Sequence, residues 1–82
     1  MSKLEKLIAH LRSEPSEASF SDIERILEAF DFREVRSSGS HHIFRHQDRR
    51  QITIPKDSGR KVKRIYIKKV INLLELDDYG TN

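Results

Sequence analysis

The sequence predicts an α+β fold. Helices cover one face of a three-stranded antiparallel sheet, in the order helix, helix, strand, strand, strand, helix, to give a two-layer sandwich. Three observations predict it. Apolar residues recur at helical spacing near both ends of the chain. Between them lie three short extended runs joined by short links, the pattern of a meander. With 82 residues, 35% of them apolar, the chain can build one modest core, so the helices must bury the sheet's apolar face.

The first helix is expected over residues 3–13. Leu4, Leu7, Ile8 and Leu11 fall at i, i+3, i+4 and i+7, a single apolar stripe. Ser2 caps its start, and Pro15 stops it shortly after Ser13. The stretch "SEPSEAS" reads as a polar connection. A second helix opens at "SDIE", with Ser21 as N-cap and Glu24 three residues on, a capping box. Its buried stripe is Ile23, Ile26, Leu27 and Phe30, and it ends near Asp31. Three extended runs follow: "FREVR" (32–36), "HHIFRH" (41–46) after an "SSGS" turn, and "RQITIP" (50–55), which Pro55 ends. "KDSGRK" is a glycine-containing loop. The last helix runs from about Lys63 to Leu76, with Tyr66, Val70, Leu73 and Leu74 at helical spacing. The expected organisation is one domain over 1–82, with a helical extension (1–18), a core (20–76) and a flexible tail (77–82).

Charge is distributed unevenly. From Met1 to Asp31 there are four Lys/Arg against seven Asp/Glu, whereas from Phe44 to Lys69 there are ten Lys/Arg against only Asp48 and Asp57. A basic block spanning several elements attracts polyanions, nucleic acid among them. The chain has no cysteine, which excludes disulfides, a thiolate nucleophile and cysteine-ligated zinc. No segment reads as a membrane span or as the apolar core of a signal peptide. The natural expectation is a cytoplasmic protein with no membrane partner.

Three of the four histidines lie in "VRSSGSHHIFRH" (35–46), and three roles compete for them. A shared metal fits poorly. On a strand His41 and His42 point to opposite faces. His42 and His46 share a face, but their Cα atoms are about 13 Å apart. A zinc ion needs each imidazole nitrogen at about 2 Å. Catalysis is open to His41, which follows Gly39-Ser40 at the mouth of a turn. Imidazole exchanges protons near neutrality. Beside Lys and Arg it suits RNA cleavage, either by assisting attack of a 2′-hydroxyl on the adjacent phosphate or by protonating the leaving oxygen, with the cations stabilising the charge that develops. The third role is an ordinary surface histidine. Which applies depends on the strand face. If Phe44 points to the core, His41 and Ile43 face outward; if Ile43 points inward, His41 shares its side. Phe44 and Tyr66 are possible base-stacking aromatics, although such spacing usually marks core.

The strings "GSHHIFRH" and "ITIPKDSGRKVKRIYIKKVINLLE" resemble the HicA toxins of bacterial type II toxin–antitoxin systems, also called the YcfA-like family. The resemblance runs from about Phe20 to Leu76. It implies a fold like that of double-stranded-RNA-binding domains. It implies an endoribonuclease that cuts mRNA without a metal or cofactor, using one histidine placed after the Gly-Ser pair. Here that is His41, positioned by Gly39 and Ser40. A HicB-type antitoxin partner is also implied. Lys56, Arg60, Lys61, Lys63 and Arg64 flank the loop and helix start after the third strand and are the expected RNA-phosphate contacts. Two features depart from the family pattern. The helix over 3–13 precedes the usual core, and Asp57 stands where many members carry a histidine in "IPxH". Two rivals to the nuclease remain at this point: a non-catalytic RNA-binding domain, and a module whose basic face docks an acidic protein.

Overall fold

The computed structural model of the chain describes residues 2–78. The elements follow in the order α1 (Lys3–Arg12), β1 (Glu17–Ser19), α2 (Phe20–Ala29), β2 (Arg33–Ser38), β3 (His41–Arg45), β4 (Gln51–Pro55), β5 (Lys61–Lys63), α3 (Arg64–Leu74) and a 3-10 turn, Leu76–Asp78. β2, β3 and β4 form the antiparallel meander, with β3 in the centre. The α+β sandwich with its preceding helix is as expected, and it resembles the double-stranded-RNA-binding fold.

Pleating sorts the sheet. Phe44 and Ile54 are fully buried and Ile52 nearly so, and all three point toward the helices. His41 and Arg45 on β3, and Gln51 and Thr53 on β4, are exposed on the other face. α2 supplies Ile23, Ile26 and Leu27 to the core, and α3 supplies Ile67, Val70, Ile71 and Leu74. The "FDF" corner closes α2. Asp31 takes a left-handed backbone (φ 69°), which Asp tolerates better than most side chains. The next residue, Phe32, is then driven into the core, where it is fully buried.

α1 belongs to this core. The Ser2 hydroxyl accepts from the Glu5 N–H and the Glu5 carboxylate accepts from the Ser2 N–H, both at 3.1 Å, a reciprocal cap. Ile8 and Leu11 are buried, while Leu4 and Leu7 pack against the core from the side. Full burial of two such side chains favours folding by about 3–6 kcal/mol before entropy is subtracted. Arg12 also donates to the Asp77 carbonyl at 3.2 Å.

Four expectations need correction. The "SEPSEAS" connection is not merely polar loop. Its end is β1, which pairs antiparallel with β5, Ala18 opposite Val62, both buried. α2 begins two residues early, because the cap is Ser19, whose hydroxyl accepts from the Asp22 N–H at 3.2 Å. Ser21 does not cap it. Pairing of β1 up to Ser19 fixes where the helix starts, and burial of Phe20 on its first turn outweighs the Ser21–Glu24 box. Lys61, expected in the loop, and Lys63, expected to open the last helix, both lie on β5, and the helix starts at Arg64. Finally, α3 stops at Leu74, with Glu75 in a left-handed cap (φ 55°). Asp77 and Asp78, assigned to the tail, belong to the 3-10 turn that buries Leu76; the rest of the tail lies outside the described residues.

The short β1–β5 ribbon braces both helix starts. The Phe20 N–H donates to the Arg60 carbonyl at 2.8 Å, and the Arg64 N–H donates to the Ser16 carbonyl at 3.1 Å. The residue just ahead of each strand thus satisfies a free N–H at the start of the helix that follows the other strand, groups that would otherwise lack partners. Among the described residues no helix is long and apolar enough to cross a membrane.

Candidate functional site

Gly39 and Ser40 form the two-residue link of the β2–β3 hairpin, since Ser38 pairs directly with His41. Gly39 has φ +58°, the conformation that a tight hairpin turn demands at its first central position. A Cβ on Gly39 would meet no atom within 4 Å, so backbone conformation rather than space selects glycine here. The Ser40 carbonyl accepts from the Lys56 N–H at 2.8 Å, which ties this turn to the end of β4. His41 therefore begins β3 from a fixed corner.

The face question resolves through Phe44. It is fully buried, so His41 sits on the outer, open face with Ile43. Phe44 is thereby removed from any base-stacking role. His41 opens into a cavity of about 390 Å³ that it lines with Gln51, Thr53, Pro55, Tyr66 and Lys69 among others. Tyr66 and Lys69 are one turn apart on α3, and the Lys69 ammonium stands over the Tyr66 ring, 5.2 Å from its centroid. The cavity wall thus carries an imidazole, a primary ammonium, a phenol, a hydroxyl and an amide. Among the described residues no carboxylate lines it.

His42 has the opposite environment. Its side chain is 12% exposed, and Nδ1 lies 2.6 Å from a Glu34 carboxylate oxygen. That contact places a proton on Nδ1, because an ionised carboxylate only accepts. The ring packs 4.6 Å from Phe20, and Nε2 is enclosed without a hydrogen-bond partner among the described residues. Such a histidine is fixed as a wedge between β2, β3 and α2. His46 is also held locally. Its Nδ1 accepts from the Asp48 N–H at 3.0 Å, and its ring lies 5.2 Å from Phe32. Among the described residues no three His, Asp or Glu side chains gather where they could hold a metal ion.

The five expected phosphate contacts do not surround His41. Lys56 and Arg60 line a second cavity, again about 390 Å³, on the His42 side with Ser19, Glu24 and Glu34. Lys56 stands 4.8 Å from the centroid of the Phe20 ring. Lys61 and Lys63 project from the same side of β5 into solvent, flanking buried Val62. Lys63 also lies 3.5 Å from the Asp57 carboxylate. Arg64 donates to the Pro15 carbonyl at 3.3 Å. None of the five lines the His41 cavity, and neither does Asp57.

The cation that does reach this cavity is Lys69. The sequence offered a signal for it. Tyr66 and Lys69 sit at i and i+3 on one helix face, and period-2 alternation puts Thr53 and Gln51 on the face opposite Ile52 and Ile54. The missing information was how α3 packs beside the free edge of β4.

The electrostatics of α3 are unfavourable for folding. Its first turn holds no acidic residue and its N-cap, Lys63, makes no side-chain cap bond. Cations at a helix N-terminus oppose the helix dipole. Lys63 at the cap and Arg64 on the first turn are both cationic nevertheless. An arrangement that costs stability in the free protein is one that an external anion relieves.

Comparison with known proteins matches residues 20–76 to the family described as HicA toxin of bacterial toxin–antitoxin. No curated protein matches the chain, and no solved structure does. The match covers more than half of the sequence, so the chain belongs to the HicA toxin family. α1 and β1 precede the matched segment.

Proposed function

We propose that this HicA-family toxin is a metal-independent endoribonuclease acting on mRNA in the cytoplasm, with His41 as its proton-transfer group, and that a HicB-type antitoxin neutralises it. The observation that carries the reading is the position of His41. It is the exposed histidine of the Gly-Ser-His corner, on the open sheet face, in a cavity that also holds a cation.

In this reading neutral His41 takes the proton of a 2′-hydroxyl. The 2′-oxygen bonds to the adjacent phosphorus and the bond to the 5′-oxygen breaks. That oxygen leaves with a proton from solvent. The products are a 2′,3′-cyclic phosphate and a 5′-hydroxyl. The nucleophile belongs to the RNA, so no water needs activation, and a cavity wall without carboxylates suits such chemistry better than a divalent cation, which favours oxygen ligands. Lys56, Arg60, Lys61, Lys63 and Arg64 hold the flanking backbone through charge rather than sequence.

The test is cleavage of a defined RNA by the purified chain in excess chelator. The expected products carry the cyclic phosphate, and a substrate with one 2′-deoxy position at the cut resists cleavage there. Expression without antitoxin should arrest growth. Absence of cleavage by a folded chain that binds RNA tightly would favour the binding-module reading. Cleavage that requires a divalent ion would refute the mechanism.

A further inference from the structure

We propose that Lys69 is a catalytic residue of the His41 cavity, its ammonium contacting the scissile phosphate, and that the Tyr66 ring positions it. The proposal rests on the nuclease reading above and adds to it the one cation that lines the cavity among the described residues.

The two lysines of "IKK" make the case by contrast. Lys68 lies on the other flank of α3, 3.6 Å from the Glu14 carboxylate, in a separate cleft lined by Glu14, Ile71 and Asp77. Its charge has a partner within the protein. Lys69 is directed instead to the β4 edge, where it lines the wall that His41 and Thr53 also line. Its ammonium stands over an aromatic face, that of Tyr66, 5.2 Å from the ring centroid. An aromatic face attracts a cation without neutralising it. The ring thereby narrows the range of a long, flexible side chain while leaving its N–H donors for an external acceptor. Tyr66 itself is half-buried and packed against the core, so the platform is rigid.

The chemistry calls for such a group. As the 2′-oxygen adds to phosphorus, negative charge grows on the two non-bridging oxygens. A positioned ammonium stabilises that charge more in the transition state than in the ground state, and so raises the rate at saturation rather than affinity alone. The other cations divide from Lys69 on this ground. Those on β5 and around the loop before it are placed for backbone affinity and are absent from the His41 wall.

The experiment uses the full chain and a fluorescently labelled RNA. Single-turnover rates are measured at saturating protein, and affinities in a His41→Ala background that leaves the RNA intact. Lys69→Gln is expected to lower the saturated rate by about 10²- to 10³-fold while changing Kd less than about threefold. Lys69→Arg restores part of the rate. Tyr66→Phe keeps the platform and most of the rate, whereas Tyr66→Leu loses rate as Lys69→Gln does. Thermal unfolding of each variant verifies that it is folded. Lys68→Gln is the control and leaves the rate unchanged. An unchanged rate in folded Lys69→Gln would overturn the proposal while leaving His41 catalysis standing. A loss of affinity equal to the loss of rate would make Lys69 another backbone contact and overturn it equally. A loss in Tyr66→Phe as large as in Tyr66→Leu would assign the role to the hydroxyl and refute positioning by the ring. A wild-type chain that cuts no RNA removes the nuclease reading itself, and this proposal with it.

Discussion

Replacing His41 and His42 separately by alanine should produce opposite defects, although the two residues are adjacent. His42 fills space between β2, β3 and α2, with its ring against Phe20 and Nδ1 on Glu34. Truncation leaves a void, removes the contact with Phe20 and unpairs a carboxylate. Glu34 is partly exposed, so water takes over much of its solvation and the ion-pair share is small. The void and the lost ring contact dominate, at about 2–3 kcal/mol. In a chain of this size that lowers Tm by roughly 10–20 °C. His41→Ala removes an exposed ring and should cost less than about 1 kcal/mol. Activity reverses the order. His41→Ala should lose about 10²- to 10⁴-fold in cleavage, with RNA binding near wild type. His42→Ala, assayed well below its Tm, should retain most of its rate. The assays are thermal unfolding and single-turnover cleavage on the same preparations. A folded His41→Ala protein that cleaves normally refutes the assignment of His41. Undiminished stability in His42→Ala refutes the account of His42 as a wedge.

Three further outcomes are expected. RNA affinity should fall steeply with salt, and neutralising Lys61, Lys63 and Arg64 to glutamine should flatten the log–log salt slope by about 2 for single-stranded RNA; an unchanged slope would remove these residues from the interface. Leu11→Ala, at a fully buried position of α1, should cost about 2–5 kcal/mol. Calorimetry should show the loss, whereas an unchanged Tm with an altered oligomeric mass would make α1 an interface element. The Arg50 backbone N–H, followed by its guanidinium, holds the Asp48 carboxyl below its usual range. A depressed folded-state pKa contributes stability above the unfolded value and loses it as pH falls through the folded one. Carboxyl NMR should place the Asp48 midpoint low, and Arg50→Ala should raise it.

Helices, the meander and its glycine turn were legible because each is written in local periodicity. Ser2 stands directly ahead of the α1 stripe that it caps, and Gly39-Ser40 marks its own hairpin. β1 was not legible. Three residues, "EAS", carry no pattern, and Ala18 is a strand residue only because Val62 lies across from it. The same non-local pairing moved the α2 cap from Ser21 to Ser19. At the candidate site, His41 could be read from its turn, and its exposure followed once Phe44 was known to be buried. The grouping of cations could not be read. Lys56 and Lys69 both belong to one basic stretch of sequence, yet the sheet separates them, one by the His42 cavity and the other by the His41 cavity. Proximity along a chain says little about which side of a strand a side chain reaches.

The β1–β5 ribbon also sets an order of events during synthesis. Its first strand leaves the ribosome well ahead of its partner, since Ala18 and Val62 lie 44 residues apart (62 − 18). Until Val62 arrives, Ala18 has no strand to join, and the apolar stripe of α1 lacks α3 to rest on. The hairpin carrying His41 emerges in between, before the helix that bears Lys69. A chain halted ahead of residue 61 therefore holds the imidazole without the fold that gives it a cavity. Such a chain should be protease-sensitive and, in the nuclease reading proposed above, inert toward RNA until β5 and α3 have been made.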